Sequence, residues 1–136
     1  MDTRRTVLTA EHVMLRNVFV LNPEMLVLDA VEELLQRGAS SAPVVDEGRI
    51  VGVFSERDAL VAIADVRWEG APVGTVGEHM QRDFDVVGAH TELSEIAACF
   101  RDNPARRLPV VDHRCRLLGI VSRSDVLRVL RHVALG

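Results

Sequence analysis

The sequence contains no lysine, because all sixteen of its basic residues are arginine. This absence excludes a phosphate-binding P-loop and any enzyme that forms a Schiff base through a lysine. The chain also lacks His-Glu-x-x-His, Cys-x-x-Cys, Gly-x-Ser-x-Gly and a Gly-x-Gly-x-x-Gly loop after a strand. Its five histidines show no metal-ligand spacing on one helix face. We therefore expect neither catalysis nor a metal site.

Long apolar runs and excess positive charge are also missing. No apolar stretch approaches the ~18 residues of a membrane span, and no long apolar segment follows the arginines of the N-terminus. A net charge of −4 disfavours binding to nucleic acid or to an anionic membrane. Cys99 and Cys115 lack metal-ligand spacing and are expected to be free thiols. These features predict a cytoplasmic protein whose 136 residues have the length of one domain.

An internal repeat is the main feature that the sequence does have. Gly52-Val-Phe-Ser-Glu-Arg-Asp58 and Gly119-Ile-Val-Ser-Arg-Ser-Asp125 share the pattern Gly-x-x-Ser-x-x-Asp. Each copy follows a Pro-Val-Val-Asp, which begins at Pro43 in one and at Pro109 in the other. A fixed period indicates one supersecondary unit built twice. Repeats of roughly 60 residues are marginal alone, so we expect the two halves to depend on each other.

Hydrophobic periodicity predicts an α+β fold with two βαββα repeats, and the internal repeat predicts that a pseudo-twofold axis relates them. The predicted elements of the first repeat are Val18–Leu21, Val27–Arg37, Ala42–Val45, Ile50–Phe54 and Glu56–Val66. Those of the second are Phe84–Val87, Glu92–Asp102, Leu108–Val111, Leu117–Val121 and Arg123–Val133. Gly38 and Pro104 are expected to end the first helix of each repeat.

A short lead segment precedes each repeat, Thr9–Met14 in one case and Thr75–Met80 in the other. Each begins with a threonine that can cap a helical turn. Arg67–Gly74, which contains two glycines and a proline, is expected to connect the repeats. We therefore place the first repeat with its lead segment at residues 1–68, and the connector with the second repeat at residues 69–136.

The serines and aspartates of the repeated pattern are candidates for ligand binding. Ser55 and Ser122 are predicted at helix N-termini, where the helix dipole favours an anion such as phosphate. Asp58 and Asp125 lie one turn further on, where each could accept hydrogen bonds from a vicinal diol such as ribose. Together they indicate a nucleoside phosphate. The same spacing is also typical of a plain capping box, and that alternative stays open.

Arg106 and Arg107 stand where the first repeat has Ser40 and Ser41. Adjacent side chains on a strand point to opposite faces, so at least one arginine is expected to face the groove between the repeats. The planar fork of donors in arginine suits phosphate, which makes both residues candidate phosphate contacts. A solvated or salt-bridged pair is the alternative.

The duplicated order of Met14 or Met80, apolar strand, helix, Pro-Val-Val-Asp and Gly-x-x-Ser-x-x-Asp closely resembles a pair of CBS domains, the cystathionine-β-synthase-type module. The resemblance covers essentially the whole chain. It implies a Bateman module, in which two βαββα units pack through their sheets and form two clefts for adenosine derivatives. AMP, ADP or ATP is the ligand class that we favour, S-adenosylmethionine and NAD are further possibilities, and no cofactor is implied as obligatory.

The resemblance also implies roles for individual residues. Aspartates would hold ribose hydroxyls, serines and the arginine pair would meet phosphate, as a basic pair does in the gamma subunit of AMP-activated kinase, and two backbone positions would line the adenine slots. The candidate ligand-binding residues are Ser122, Asp125, Arg106, Arg107, Ser124, Ser40, Ser55, Asp58, Val18 and Phe84. The first repeat has Glu56 where the second has Arg123, and it lacks the arginine pair. We therefore expect the cleft of Asp125 to bind more tightly than that of Asp58.

Two functions fit these observations. The first is a regulatory module that senses an adenosyl nucleotide and signals through its own dimer or an unidentified protein partner. The alternative is a ligand-free dimerisation scaffold with degenerate clefts. Wide apolar faces on the last helix of each repeat predict a homodimer in either case. The residues of these faces are Ala59, Leu60, Ala62 and Ile63 in the first repeat, and Val126, Leu127, Val129, Leu130 and Val133 in the second.

Overall fold

The computed structural model describes residues 7–66 and 72–135. Its elements in chain order are α1 (Ala10–Val13), α2 (Val27–Arg37), β1 (Ser41–Asp46), β2 (Arg49–Ser55), α3 (Glu56–Ala64), α4 (Val76–His79), β3 (Val87–Gly88), α5 (Leu93–Asp102), β4 (Arg107–Val111), β5 (Leu117–Ser122) and α6 (Arg123–Leu135). The α+β class is confirmed, and α2 has the predicted bounds. Of the predicted connector Arg67–Gly74, residues 67–71 lie outside the described residues.

The chain folds into two compact units that exchange their lead segments. We call Phe19–Phe84 the first-repeat unit, and Met1–Val18 together with Asp85–Gly136 the second-repeat unit. The expected division between residues 68 and 69 was placed at the boundary between the sequence repeats. The compact units are defined by the contacts between residues, and their boundaries fall elsewhere. They differ because α1 packs with the second repeat, while α4 packs with the first.

The first strand of each repeat is shorter than predicted. In Val18–Leu21 only Leu21 pairs, through a single parallel bridge to Val44. In Phe84–Val87 only the last residue enters a strand, the two-residue β3, which pairs in parallel with β4. The strands are shorter than predicted because only the last residue of each predicted segment pairs with the backbone of the adjacent hairpin. The hairpins β1–β2 and β4–β5 are antiparallel, each with a register shift next to its turn.

Each unit has its own apolar core, which explains why the helices lie where the periodicity predicts them. In α2 the buried residues are Val27, Ala30 and Leu34, spaced three and four apart, so that one stripe faces the hairpin. In α5 the corresponding residues are Leu93, Ile96 and Phe100. Removing such a side chain from water contributes about 1.5–3 kcal/mol. The lead segments join these cores through two fully buried residues, Val76 in the first-repeat unit and Ala10 in the second.

Candidate functional site

The two Gly-x-x-Ser-x-x-Asp segments make the same junction in both units. In the first-repeat unit β2 runs directly into α3, and Ser55 is both the last strand residue and the helix N-cap. Ser55 lies opposite Ser41 in the hairpin, and the N–H of Glu56 donates to the carbonyl oxygen of Ser40 at 2.9 Å. The residue pair 40–41 is therefore placed beside the beginning of α3.

The second-repeat unit repeats these contacts with different side chains. Ser122 lies opposite Arg107, and the N–H of Arg123 donates to the carbonyl oxygen of Arg106 at 3.0 Å. The arginine pair therefore flanks the beginning of α6, as the sequence repeat predicts. Sequence comparison of the repeats was sufficient for this placement, because the hairpins have the same register at this end.

The capping box that the sequence left open is present in the first-repeat unit. Asp58 Oδ2 accepts hydrogen bonds from the N–H of Ser55 at 2.8 Å and from its hydroxyl at 2.9 Å. The N–H of Asp58 donates back to Ser55 Oγ at 3.2 Å. The other carboxylate oxygen, Oδ1, accepts from the side-chain amide of Gln81 at 3.2 Å. One oxygen of Asp58 is thus committed to the helix cap, while the other takes a partner from the segment after α4.

The second-repeat unit has a looser version of this arrangement. The N–H of Ser122 donates to Asp125 Oδ2 at 3.3 Å, and the N–H of Asp125 donates to Ser122 Oγ at 3.1 Å. The hydroxyl of Ser122 also contacts that of Ser124 at 3.1 Å. Asp125 Oδ1 accepts from the guanidinium of Arg128 at 3.2 Å. Both aspartates are half-buried, and in each the oxygen that the cap leaves available is Oδ1.

The glycine that opens each motif has a steric reason that sequence reasoning missed. The backbones of Val53 and Gln81 exchange two hydrogen bonds of 2.9 Å, and so do those of Ile120 and Leu15. A β-carbon on Gly52 would lie 2.5 Å from the sulfur of Met80, at the end of the lead segment. Glycine is required because the lead segment crosses the strand so closely. The signal for it was the methionine that ends both lead segments.

Arg106 and Arg107 are both exposed. Within residues 7–66 and 72–135 neither side chain has a salt-bridge partner, so the salt-bridged alternative is not observed. Arg123 was expected to add positive charge beside this pair, and its guanidinium is held by uncharged partners. The guanidinium donates to the carbonyl oxygens of Asn103 at 2.9 Å and Ala105 at 3.0 Å, just beyond the C-terminus of α5.

The remaining candidate residues lie in different units. Ser40 and Phe84 belong to the first-repeat unit, with Ser40 exposed and Phe84 half-buried. Val18 is half-buried in the second-repeat unit, where its N–H donates to the carbonyl oxygen of Arg16 at 3.1 Å. Val18 and Phe84 lie after the lead segments, in the parts of the predicted strands that do not form.

The described part of the chain was expected to contain free cysteines, and its potential metal-ligating side chains do not cluster. Among those residues no three His, Cys, Asp or Glu side chains gather where a metal ion could bind. None of the described helices is both long and apolar enough to cross a membrane. Cys99, half-buried, and Cys115, exposed, are free thiols, as expected.

Comparison with known proteins agrees with the duplicated architecture. The model of the CBS domain family matches residues 10–65 and 73–132. A 17.7 kDa protein of Acidianus ambivalens is 32% identical over 117 residues, which cover 85% of this chain and 69% of that protein. Three relatives from Methanocaldococcus jannaschii are longer, and the chain spans 44%, 37% and 23% of their lengths.

Solved structures are also similar. CBSX2 of Arabidopsis thaliana in complex with AMP is 30% identical with a TM-score of 0.81, and the match covers 93% of this chain and 98% of that one. The cytosolic domain of the Mg²⁺ channel MgtE in complex with ATP is 33% identical with a TM-score of 0.75, and the match covers 90% of this chain and 48% of that one. The chain belongs to the CBS domain family, and its two matched segments make it a CBS-domain pair.

Proposed function

We propose that this CBS-domain pair is a regulatory module that binds an adenosyl nucleotide of the AMP, ADP or ATP class. The observation that carries the proposal is the half-buried aspartate one turn into α3 and into α6, whose Oδ1 lies outside the helix cap. Two similar structures support it, because CBSX2 was solved with AMP and the MgtE domain with ATP. The module is a binding protein rather than an enzyme. S-adenosylmethionine and NAD remain further ligand candidates.

The ribose would be held by the aspartates. A carboxylate only accepts hydrogen bonds, and each hydroxyl of a ribose can donate one. Since Oδ2 of Asp58 already accepts two bonds within the cap, Oδ1 is the oxygen that a ribose hydroxyl would reach. Asp125 has the same division between its two oxygens. The capping box therefore orients the carboxylate, and binding does not require the cap to open.

The phosphate would be attracted by the positive end of the helix dipole at the beginnings of α3 and α6. Ser55 and Ser122 lie at these positions. At α6 the exposed guanidinium groups of Arg106 and Arg107 would add two positive charges, whereas α3 has the uncharged Ser40 and Ser41 in their place. This difference supports unequal affinities at the two sites, with the site of Asp125 the tighter one.

A ligand-free scaffold is the second candidate function. The cap alone accounts for the contacts between Ser55 and Asp58, so their positions do not require a ligand. Signalling by a sensor needs more than binding, because a ligand shifts a conformational equilibrium only by its differential affinity for two states. A scaffold requires neither a bound ligand nor two conformational states.

We further propose that the protein forms a homodimer through α3 and α6. Exposed apolar residues on these helices are Leu60, Val61, Ile63, Leu127, Leu130 and Val133. Three residues that we expected on the dimer faces, Ala59, Ala62 and Val126, are instead buried inside their own units. In the first-repeat unit α2 and α3 leave an apolar cavity of about 150 Å³ between them, lined in part by Leu35 and Leu60. A second copy would cover this apolar surface.

Thermal unfolding in the presence of nucleotides separates the sensor from the scaffold. A ligand at 100 times its dissociation constant stabilises the folded state by about 2.7 kcal/mol. AMP, ADP, ATP, NAD and S-adenosylmethionine are compared with inorganic phosphate, which controls for anion binding alone. The Asp58→Asn, Asp125→Asn double variant is the matched control. For each protein the shift in unfolding temperature is measured against the same protein without ligand. If none of the five ligands shifts the unfolding temperature, the scaffold is favoured.

A further inference from the structure

Gln81 and Leu15 occupy equivalent places in the two units. Each directly follows the methionine that ends a lead segment, Met80 or Met14. Each exchanges two backbone hydrogen bonds of 2.9 Å with the strand that carries the motif glycine. The two positions are 66 residues apart, the same separation as the two Pro-Val-Val-Asp segments. The repeat therefore puts one residue of this kind beside each motif, and the two differ in chemistry.

The side chains meet their aspartates in different ways. In the first-repeat unit the amide of Gln81 donates to Asp58 Oδ1 at 3.2 Å. In the second-repeat unit Leu15 has no polar group to offer, and 64% of its surface is exposed. There Arg128 donates to Asp125 Oδ1 from within α6, where the first repeat has Val61 at the corresponding place. The oxygen available to a ligand thus has an amide neighbour at one site and a guanidinium neighbour at the other.

These neighbours differ in what they could offer a ligand. A carboxylate only accepts hydrogen bonds, so in the contact with Asp58 the NH₂ group of Gln81 is the donor, and the carbonyl oxygen Oε1 of the same amide is not used by Asp58. Gln81 therefore adds a second acceptor next to Asp58 Oδ1. Arg128 only donates and cannot add one. A vicinal diol has two protons to donate, and Asp58 Oδ2 is already occupied by Ser55.

We propose that Gln81 is a specificity-determining residue of the first-repeat site, where Asp58 Oδ1 and Gln81 Oε1 together recognise the two hydroxyls of a ribose. The proposal rests on the proposed nucleotide-binding function and deepens it. The first-repeat site distinguishes ribose from 2′-deoxyribose or 3′-deoxyribose through two acceptors. The second-repeat site, with Leu15 and Arg128, has no amide acceptor in the place of Gln81 and distinguishes them less.

The test measures sugar discrimination at one site at a time. Isothermal titration of the full chain with AMP, 2′-deoxy-AMP and 3′-deoxy-AMP gives the ratio of deoxy to ribo dissociation constants. Asp125→Asn weakens the second site and leaves the first to be observed, and Asp58→Asn does the reverse. In the Asp125→Asn background, Gln81→Leu is expected to lower the larger of the two ratios about three- to tenfold, the effect of one hydrogen bond.

The reciprocal variant protects the test against a folding defect in Gln81→Leu. Leu15→Gln in the Asp58→Asn background is expected to raise the ratio at the second site, and its exposed position tolerates the polar side chain. A purely structural role of Gln81 would weaken the binding of all three nucleotides equally and leave the ratio unchanged. A changed ratio therefore indicates recognition of the ribose hydroxyls. If AMP still binds and both variants leave the ratios unchanged, the role of Gln81 is overturned, but the proposed nucleotide binding is not. If none of AMP, ADP and ATP binds to the unmodified chain, the proposed function is overturned and this inference with it.

Discussion

A β-carbon on Gly119 would lie 2.6 Å from the carbonyl oxygen of Leu15. This distance is shorter than any real contact of a β-carbon, so the motif glycine is what lets the chain after α1 cross β5. Leu15 and Ile120 exchange two backbone hydrogen bonds at this crossing. The residue that follows the lead segment and the Gly-x-x-Ser-x-x-Asp motif are therefore linked through the backbone in the second-repeat unit. Gly52 and Gln81 have the same relationship in the first-repeat unit, with 3.0 Å between the same two atoms.

Gly119→Ala is expected to lower the free energy of unfolding by about 1–3 kcal/mol, the usual range for overpacking. A backbone oxygen cannot move aside without breaking the bridge to Ile120. Gly52→Ala should cost less, because its nearest neighbour is the flexible end of Met80. Urea denaturation measures both. Gly88→Ala is the control, since its β-carbon would meet Thr91 at an ordinary 3.5 Å. Equal stability of Gly119→Ala and Gly88→Ala would contradict the steric argument.

The two proposed nucleotide sites are expected to be unequal. Asp125→Asn should reduce overall ATP affinity more than Asp58→Asn, because only the Asp125 site lies beside Arg106 and Arg107. Isothermal titration of both variants with ATP measures this. A larger loss from Asp58→Asn would reverse the proposed order.

The arginine pair provides the control for this ordering. Arg106→Ser with Arg107→Ser gives the second-repeat unit the residues of the first, and ATP binding should weaken and lose part of its salt dependence. Adenosine, which has no phosphate, should bind this variant and the unmodified chain equally. An equal loss for adenosine would place the arginines outside the phosphate site.

Arg123 is expected to matter for stability rather than for phosphate binding. α2 ends on Gly38 in the left-handed conformation, with φ of 59°, whereas α5 ends at Asn103 in extended backbone and uses Arg123 to satisfy nearby carbonyls. Arg123→Gln should lower the free energy of unfolding by about 1 kcal/mol. Glu56→Gln, at the equivalent place, is the matched control. A loss of ATP affinity in Arg123→Gln as large as that in Arg107→Ser would refute this assignment.

Asp112 should make the stability of the β4–β5 hairpin depend on acid pH. Desolvation alone would raise the pKa of Asp112, but hydrogen bonds from the backbone N–H groups of Arg116 and Arg114 and from the Arg116 side chain outweigh it and lower the pKa from 3.8 to about 2. A depressed pKa stabilises the fold above the unfolded value and loses that contribution as pH falls from about 4 to about 2. The destabilisation caused by Asp112→Asn should therefore be largest near neutral pH and shrink toward pH 2.

Chemical denaturation across this pH range measures the effect. Asp46→Asn is the matched control, because Asp46 occupies the same position in the first hairpin but accepts no comparable side-chain hydrogen bonds within the described residues. A destabilisation by Asp112→Asn that stays constant down to pH 2 would show that the carboxylate charge is not involved.

Dimerisation is expected to depend on the exposed leucines of α3 and α6. Leu60 is 67% exposed and Leu127 65%, so glutamate at either position should fold normally and favour the monomer. Light scattering at micromolar concentration measures the molar mass. Val20→Glu is the control, an exposed apolar residue on neither helix. A dimer that persists in both leucine variants would place the interface elsewhere. If the unmodified protein is a monomer, the proposed homodimer is refuted.

The parts that the sequence predicted are those that depend on neighbours within a turn or along one hairpin. The stripe of Val27, Ala30 and Leu34 determines α2, and Ser55 and Asp58 cap α3 across three residues. The first strands were predicted too long, because β-rich composition does not reveal how far a neighbouring backbone extends. For the same reason Ala59 and Val126 looked like dimer residues, although both are inside the cores.

The sequence by itself determined that one unit is built twice, that it belongs to the CBS type, and that serine and aspartate meet at a helix beginning. Only the tertiary structure decided which lead segment joins which repeat, and which partners come from far along the chain. Gln81 is 23 residues from Asp58, and Arg123 is 20 residues from Asn103. Local periodicity and capping carry no information on such contacts, because they depend on the path of the chain through space rather than on spacing along it.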